Sequence, residues 1–167
     1  MWWWLVMSKQ CGTCTKCCDG TTVGGLIYGH GFGNKKPCYF LDIANKNCSI
    51  YSDRPEHPCK SYQCMWLKYE DVPLWMKPEH SNVTVTAEDY NGNKFLIMNA
   101  QTNDYSAKAL SYVINYAEKN NMNLIYDLTF GGPWILKGNK DQLTDYILNS
   151  KSFEHMPLYY THQQETI

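Results

Sequence analysis

Arginine is almost missing from this chain. Arg54 is the only one in 167 residues, and the other permanently charged bases are lysines. Charge of any kind is scarce, at 19% of residues, and the net charge is −1. Without a basic excess there is no electrostatic footprint for nucleic acid. Long apolar runs are also lacking. The opening Met1-Trp2-Trp3-Trp4-Leu5-Val6-Met7 ends at Ser8-Lys9-Gln10, far short of the roughly 20 residues a membrane-spanning helix needs. It has no basic start and no small-residue cleavage site, so it does not read as a secretory leader. The expectation is a cytoplasmic protein with no membrane association. The tryptophan run reads as a strand or anchor on the core, or as an aromatic contact patch for a partner. No repeat, P-loop, glycine-rich nucleotide fingerprint or zinc-protease motif occurs. Residues 65–167 contain no cysteine.

Few arginines beside many Asn, Lys, Ile and Tyr residues match the codons of an A/T-rich genome. This points to a bacterial or viral source and is silent on function.

What is present is a hydrophobic fraction of 44%, enough for a core, and eight cysteines crowded into the first two-fifths: Cys11, Cys14, Cys17, Cys18, Cys38, Cys48, Cys59 and Cys64. An even count at high density could be a disulfide framework. The missing leader, the chain length and the run Cys11-Gly12-Thr13-Cys14-Thr15-Lys16-Cys17-Cys18 argue for metal instead. Two residues between ligands allow a tight turn to aim both thiolates at one centre. Backbone N–H groups of that turn can then face the sulfurs and stabilise their charge. The vicinal pair adds a constraint, because neighbouring side chains in extended backbone point opposite ways. Cys17 and Cys18 therefore belong to different roles. Either eight thiolates supply two four-cysteine sites, or one four-cysteine cluster is accompanied by spare thiols. The spacing leaves both open.

Further along stand Pro37-Cys38-Tyr39-Phe40-Leu41-Asp42 and Cys48-Ser49-Ile50-Tyr51-Ser52-Asp53-Arg54-Pro55-Glu56-His57-Pro58-Cys59, then Cys64. Together with the first knot, residues 11–66 resemble the bacterial CxxCxxCC family, described as a zinc- or iron-chelating (YkgJ-like) domain. Lys60 stands where that family usually carries arginine, and Gly24 to Lys36 is a loop-like stretch of this chain's own. Related cysteine runs in flagellin lysine N-methylases tilt the implied cofactor toward an iron–sulfur cluster, [4Fe-4S] above all, with Zn2+ the alternative. No methyltransferase activity is carried over, because no room remains for a separate catalytic domain.

Arg54 is the candidate supporting residue. In a lysine-using chain, a lone arginine implies a need for its planar five-donor fork. It could clamp Asp19 or Asp42, or set positive charge beside cluster thiolates. His30 and His57 could be ligands, but eight cysteines make them unnecessary, and solvated or supporting roles are expected.

The second part reads as a small α+β unit. Val83-Thr84-Val85-Thr86 and Lys94-Phe95-Leu96-Ile97-Met98 alternate as strands about an Asn91-Gly92 hairpin turn. Ala107, Leu110, Val113, Ile114 and Ala117 recur at helical spacing from a start at Asp104 or Ser106. Asn123 to Leu128 reads as a third strand, Gly131-Gly132-Pro133 as a turn, Trp134 to Lys137 as a fourth strand and Gln142 to Asn149 as a helix. The tail beyond, with Tyr159-Tyr160, is expected to be mobile.

The architecture expected is α+β: an irregular cysteine-rich region, 1–80, packed on a small antiparallel sheet with one or two helices, 81–167, the two sharing a core. Three functions compete. The leading one is an iron–sulfur protein in electron transfer or redox sensing, with a redox or protein partner and room for a homo-oligomer. The alternatives are a zinc module that binds a partner and a cluster-dependent enzyme.

Overall fold

The computed structural model describes residues 9–20, 22, 25–33, 35–100, 106–128 and 133–149, with the backbone of 158–160. The tryptophan run and the Gly131-Gly132 turn lie outside the described residues. The fold is α+β.

The cysteine-rich part is built from short pieces. Strands β1 (Gly25–Ile27) and β2 (His30–Phe32) form a hairpin in the stretch read as loop. Strands β3 (Leu41–Asp42) and β4 (Asn47–Cys48) form a second. A 3-10 turn at Tyr51–Asp53 and a wide turn at Glu56–Lys60 follow. Then come α1 (Met65–Lys68), a 3-10 turn at Leu74–Met76 and α2 (Pro78–Ser81).

The larger sheet begins at β5 (Val83–Tyr90), which turns at Asn91-Gly92 into β6 (Asn93–Ala100). Both turn residues have positive φ, +49° and +76°, as the tightest hairpin turn requires. Helix α3 (Ala107–Lys119) starts where Ser106 caps it, its hydroxyl accepting from the Ala109 N–H. It crosses over to β7 (Asn123–Asp127), which pairs parallel to β6. Strand β8 (Trp134–Lys137) returns antiparallel, α4 (Lys140–Asn149) follows, and β9 (Leu158–Tyr160) pairs parallel to β8. The sheet order is β5-β6-β7-β8-β9. Two of the expectations need correction here. The larger sheet is mixed rather than antiparallel, because α3 and α4 each return the chain for a parallel pairing. Tyr159-Tyr160, expected in a mobile tail, belongs to a strand.

Alternation along the strands builds two cores. Leu96, Met98, Leu124 and Tyr126 face α3 through Ala109, Val113, Tyr116 and Ala117. Phe95, Ile97, Ile125, Trp134 and Leu136 face the other way, against Leu143 and Tyr146 of α4. The first core also takes in Cys64, Met65, Trp66, Val72 and Met76, so the end of the cysteine-rich stretch is packed on the sheet.

Candidate metal centre

The first cysteine run folds as two tight turns. The Cys14 N–H donates to the Cys11 carbonyl at 3.0 Å, and the Cys18 N–H to the Thr15 carbonyl at 2.8 Å. The chain then lies against residues 35–38: the Cys38 N–H donates to the Cys18 carbonyl at 2.7 Å and the Lys35 N–H to the Gly20 carbonyl at 2.8 Å. Gly20 makes this approach possible. Its φ is +100°, and a Cβ there would meet the Lys35 and Lys36 backbone at 2.9 Å. Thr22 fastens the exit by donating its hydroxyl to the Cys17 carbonyl at 3.2 Å.

The other cysteines arrive on separate supports. Cys38 precedes β3, with the Leu41 N–H donating to its carbonyl at 3.1 Å. Cys48 ends β4, opposite Leu41. Cys59 lies in the wide turn, closed by the Ser61 N–H donating to the Glu56 carbonyl at 2.9 Å. Cys64 pairs with Thr86 of β5 in a single antiparallel bridge, and the Ala87 N–H donates to the neighbouring Gln63 carbonyl at 3.4 Å. All eight thiols are free.

Their electrostatics divide them. Burial pushes the Cys17 thiol well up, and the next causes are the charges of Cys64, its chain neighbour Cys18, Cys14 and Cys11. Burial likewise raises Cys64, with Cys11 and Cys14 as the thiols acting on it. Burial raises Cys11 too, with Cys14 beside it. Cys18 answers to a different group: it is pushed up to about 12 by burial, then by Cys38, Cys48 and Cys59. Cys59 is raised by burial, then by Cys38 and Cys48. The vicinal pair thus faces two neighbourhoods, Cys11, Cys14, Cys17 and Cys64 on one side and Cys18, Cys38, Cys48 and Cys59 on the other. Among the described residues, no three His, Cys, Asp or Glu side chains converge on a single ion position as they stand.

Arg54 does not make the carboxylate clamp considered for it. Its Nε donates to the Tyr51 carbonyl at 2.9 Å, and its guanidinium lies 3.7 Å from the centre of the Tyr51 ring. Asp42 instead accepts from Asn45, and Asp19 sits 3.6 Å from the Lys16 ammonium. The Arg54 charge does act on thiols, lowering Cys11 of one group and Cys59 of the other. His57 pairs through Nδ1 with the Ser61 hydroxyl at 2.6 Å. His30 stacks on Tyr39 with ring centres 4.1 Å apart. Both histidines have neighbours other than the thiols.

Two residues with a part here escaped the sequence reading. The Tyr62 hydroxyl meets the Thr86 hydroxyl at 2.9 Å, and burial, followed by the charge of Cys17, pushes its phenol well up. Its position two residues before Cys64 was a usable signal, since extended backbone returns side chains to one face at that spacing. Lys77 is buried, pairs with Glu79 at 2.5 Å, and lowers Cys11 by its charge. Glu79 in turn accepts from the Thr13 hydroxyl at 3.2 Å, inside the first turn. Nothing in the sequence marked Lys77.

Among the described residues no helix is long and apolar enough to cross a membrane. No protein-family model, curated protein or solved structure matches the chain.

Proposed function

We propose that this chain is a cysteine-ligated metal protein with two four-cysteine centres, Cys11, Cys14, Cys17 and Cys64 forming one and Cys18, Cys38, Cys48 and Cys59 the other. The observation that carries the reading is the placing of Cys18 against Cys38 by a 2.7 Å backbone bond, with Cys38, Cys48 and Cys59 acting on Cys18 while Cys64, Cys14 and Cys11 act on Cys17 beside it. Each group joins part of the first knot to a cysteine tens of residues away, the pattern by which metal ligands close a fold. The thiols are free, and burial and neighbouring thiols raise Cys11, Cys17, Cys18, Cys59 and Cys64. Bringing four such groups to the thiolate form calls for a cation to offset their repulsion.

Iron–sulfur clusters, [4Fe-4S] in type, suit these groups better than single zinc ions. A zinc ion gathers its four sulfurs at about 2.3 Å from one point, whereas a cluster spreads its ligands around a wider inorganic core. The resemblance of residues 11–66 to a zinc- or iron-chelating family whose relatives lean to iron–sulfur supports the cluster. When bound, such a cluster supplies one-electron chemistry; the chain's own part is to hold the thiolates, shield them and set the cations Arg54 and Lys77 nearby. The role that follows is electron transfer or redox sensing in the cytoplasm, with a protein partner.

The test is an anaerobic preparation assayed for iron, zinc and acid-labile sulfide. The expected protein is brown and contains iron and sulfide. Cys14→Ser and Cys59→Ser, one from each group, should each lose about half the metal, because ligand loss removes metal-linked folding free energy at one centre only. Stoichiometric zinc without sulfide would replace the clusters with a zinc module. Full metal content in both variants would overturn the two centres.

A further inference from the structure

On the two small hairpins and the turn after them, large side chains stand in water beside bases. Leu26, Tyr28, Tyr39 and Tyr51 are 60–70% exposed. They are joined rather than scattered. Phe40 meets the Tyr28, His30 and Tyr39 rings edge-on, and His30 stacks on Tyr39 at an interplanar angle of 5°. The Tyr28 hydroxyl donates to the Asp53 carbonyl at 2.6 Å, which ties these rings to the turn where Arg54 lies on Tyr51. Leu26 joins through Gly31: a Cβ there would lie 4.0 Å from a Leu26 methyl carbon and 3.8 Å from the Lys36 ammonium. Between Gly25 and Lys60 the bases are Lys35, Lys36, Lys46, Arg54 and Lys60, and the acids are Asp42, Asp53 and Glu56. The four lysines are exposed, and Asp42 is already engaged by Asn45. After Lys60 acids outnumber bases, which hides this local surplus in the net charge.

We propose that this face is a docking surface for an acidic segment of a partner protein, one whose carboxylates are spaced among apolar side chains. This deepens the proposed function, from which it takes only that a protein partner exists. Clustered exposed rings mark contacts, and tyrosine and arginine are among the residues that most often carry the binding energy of protein interfaces. Stacked and edge-on contacts already hold these rings, so docking has little left to order. The bases choose the sign of the partner. Two copies of this chain meeting face to face would bring two positive surfaces together, which works against self-association. A segment with carboxylates opposite Lys36 and Arg54 is drawn in instead. The face also borders two of the thiols. Tyr39 follows Cys38, and the Phe40 carbonyl accepts from the N–H and the hydroxyl of Ser49, next to Cys48. A docked partner therefore lies beside Cys38 and Cys48.

The experiment uses the full chain, prepared anaerobically, and three fluorescein-labelled probes followed by anisotropy. One is a peptide in which glutamates alternate with leucines and tyrosines, one is the same peptide with lysine in place of glutamate, and one is an oligothymidylate. The acidic peptide should bind, more weakly as salt is raised, and the other two should not. Tyr39→Ser and Lys36→Glu should each weaken the acidic peptide by about ten-fold or more, the scale of one hot-spot side chain. Lys119→Glu, the same charge change on the exposed side of α3, should leave binding as it was. Lys36 is exposed and carries the test if Tyr39→Ser disturbs its hairpin. Failure of the acidic peptide to bind would overturn the proposal, as would equal binding of the lysine peptide or equal weakening by Lys119→Glu. Tighter binding of the oligothymidylate would make the face a nucleic-acid surface instead. Metal content is measured on the same samples: its absence would fail the proposed function, whichever way the peptides behave.

Discussion

From Val83 onward the molecule is held by apolar burial; before Cys64 it is not. The sheet part seals Val83, Phe95, Leu96, Met98, Val113, Leu124 and Ile125 almost completely from water. Among the described residues 9–63, the buried apolar side chains are Ile27 and Cys38, while Leu26, Tyr28, Tyr39, Ile43 and Tyr51 stand 60–70% exposed. The described apolar burial there, one isoleucine and one cysteine, offsets little of the stretch's conformational entropy. The contrast teaches that the two parts are stabilised differently, and under the proposed function metal-bound thiols would make up the difference in the first.

The comparison breaks most sharply on metal removal. Apparent binding free energies of structural metal in small domains are on the order of 10 kcal/mol. Stripping the metal should therefore release the amides of Cys18 and Cys38 to fast hydrogen exchange while those of Leu124 and Ile125 stay protected. Equal loss in both parts would show a single cooperative unit. Next in size, Leu124→Ala empties a site in β7 that is 0% exposed and should cost about 2–5 kcal/mol in urea denaturation. Because Cys64 and Met65 share that core, the same variant should also weaken metal retention by the centre containing Cys64. A smaller effect belongs to Gly20→Ala, where positive φ and a 2.9 Å approach to backbone should cost about 1–3 kcal/mol. It should lower metal content at the centre that uses Cys18 and Cys38, with the melting of the sheet unchanged.

How much of this was legible in the sequence follows the same divide. The hairpin at Asn91-Gly92, the helix Ala107–Lys119 and the strand Trp134–Lys137 were readable because periodicity and turn chemistry are local signals. The parallel pairings were not. Whether Trp134 neighbours Leu158 depends on where α4 returns the chain, and no local pattern states that. In the cysteine part, the residue types were plain but the division was not. Spacing said that Cys17 and Cys18 face apart. Which partners each would find depended on Gly20 laying Cys18 beside Cys38 and on Thr86 receiving Cys64. Arg54 was legible as unusual, yet its partner is the ring and carbonyl of Tyr51 three residues back rather than a distant carboxylate.

Two finer changes sharpen the comparison. On the sheet side, Tyr146 is raised by burial and by its hydrogen bond to Glu88. A group with its folded value raised supports the fold below its unfolded value, about 10 for tyrosine, and that support is lost as pH rises through the folded value. Thermal melts should thus fall above about pH 10, and Tyr146→Phe should flatten that fall at a cost of about 1 kcal/mol near neutrality. On the cysteine side, Arg54→Lys keeps a charge but loses the flat stacking surface and the Nε donor. A loss of about 0.5–1 kcal/mol is expected, with faster decay of the loaded metal in air. Equal decay rates would make Arg54 an ordinary half-buried side chain.

The single bridge between Cys64 and Thr86 has one more effect. Strand β5 is an outermost strand of the larger sheet among the described residues, a position at which strands are prone to pair with another molecule unless they are covered. Its far half carries Glu88 and Asp89, charges that discourage such pairing. Its near half, Val83-Thr84-Val85-Thr86, carries no charge and no proline, a composition that invites strand-to-strand aggregation. The bridge at Thr86 and the Ala87 N–H bond to Gln63 fall beside this uncharged half. The cysteine region therefore helps to cover the sheet's border, where Val83, Thr84 and Val85 are buried. A chain shortened to residues 81–167 would keep the core around Phe95, Ile125 and Leu143 but lose Met65, Trp66, Val72 and Met76 from the other, together with that cover, and light scattering on heating should rise earlier than in the full chain.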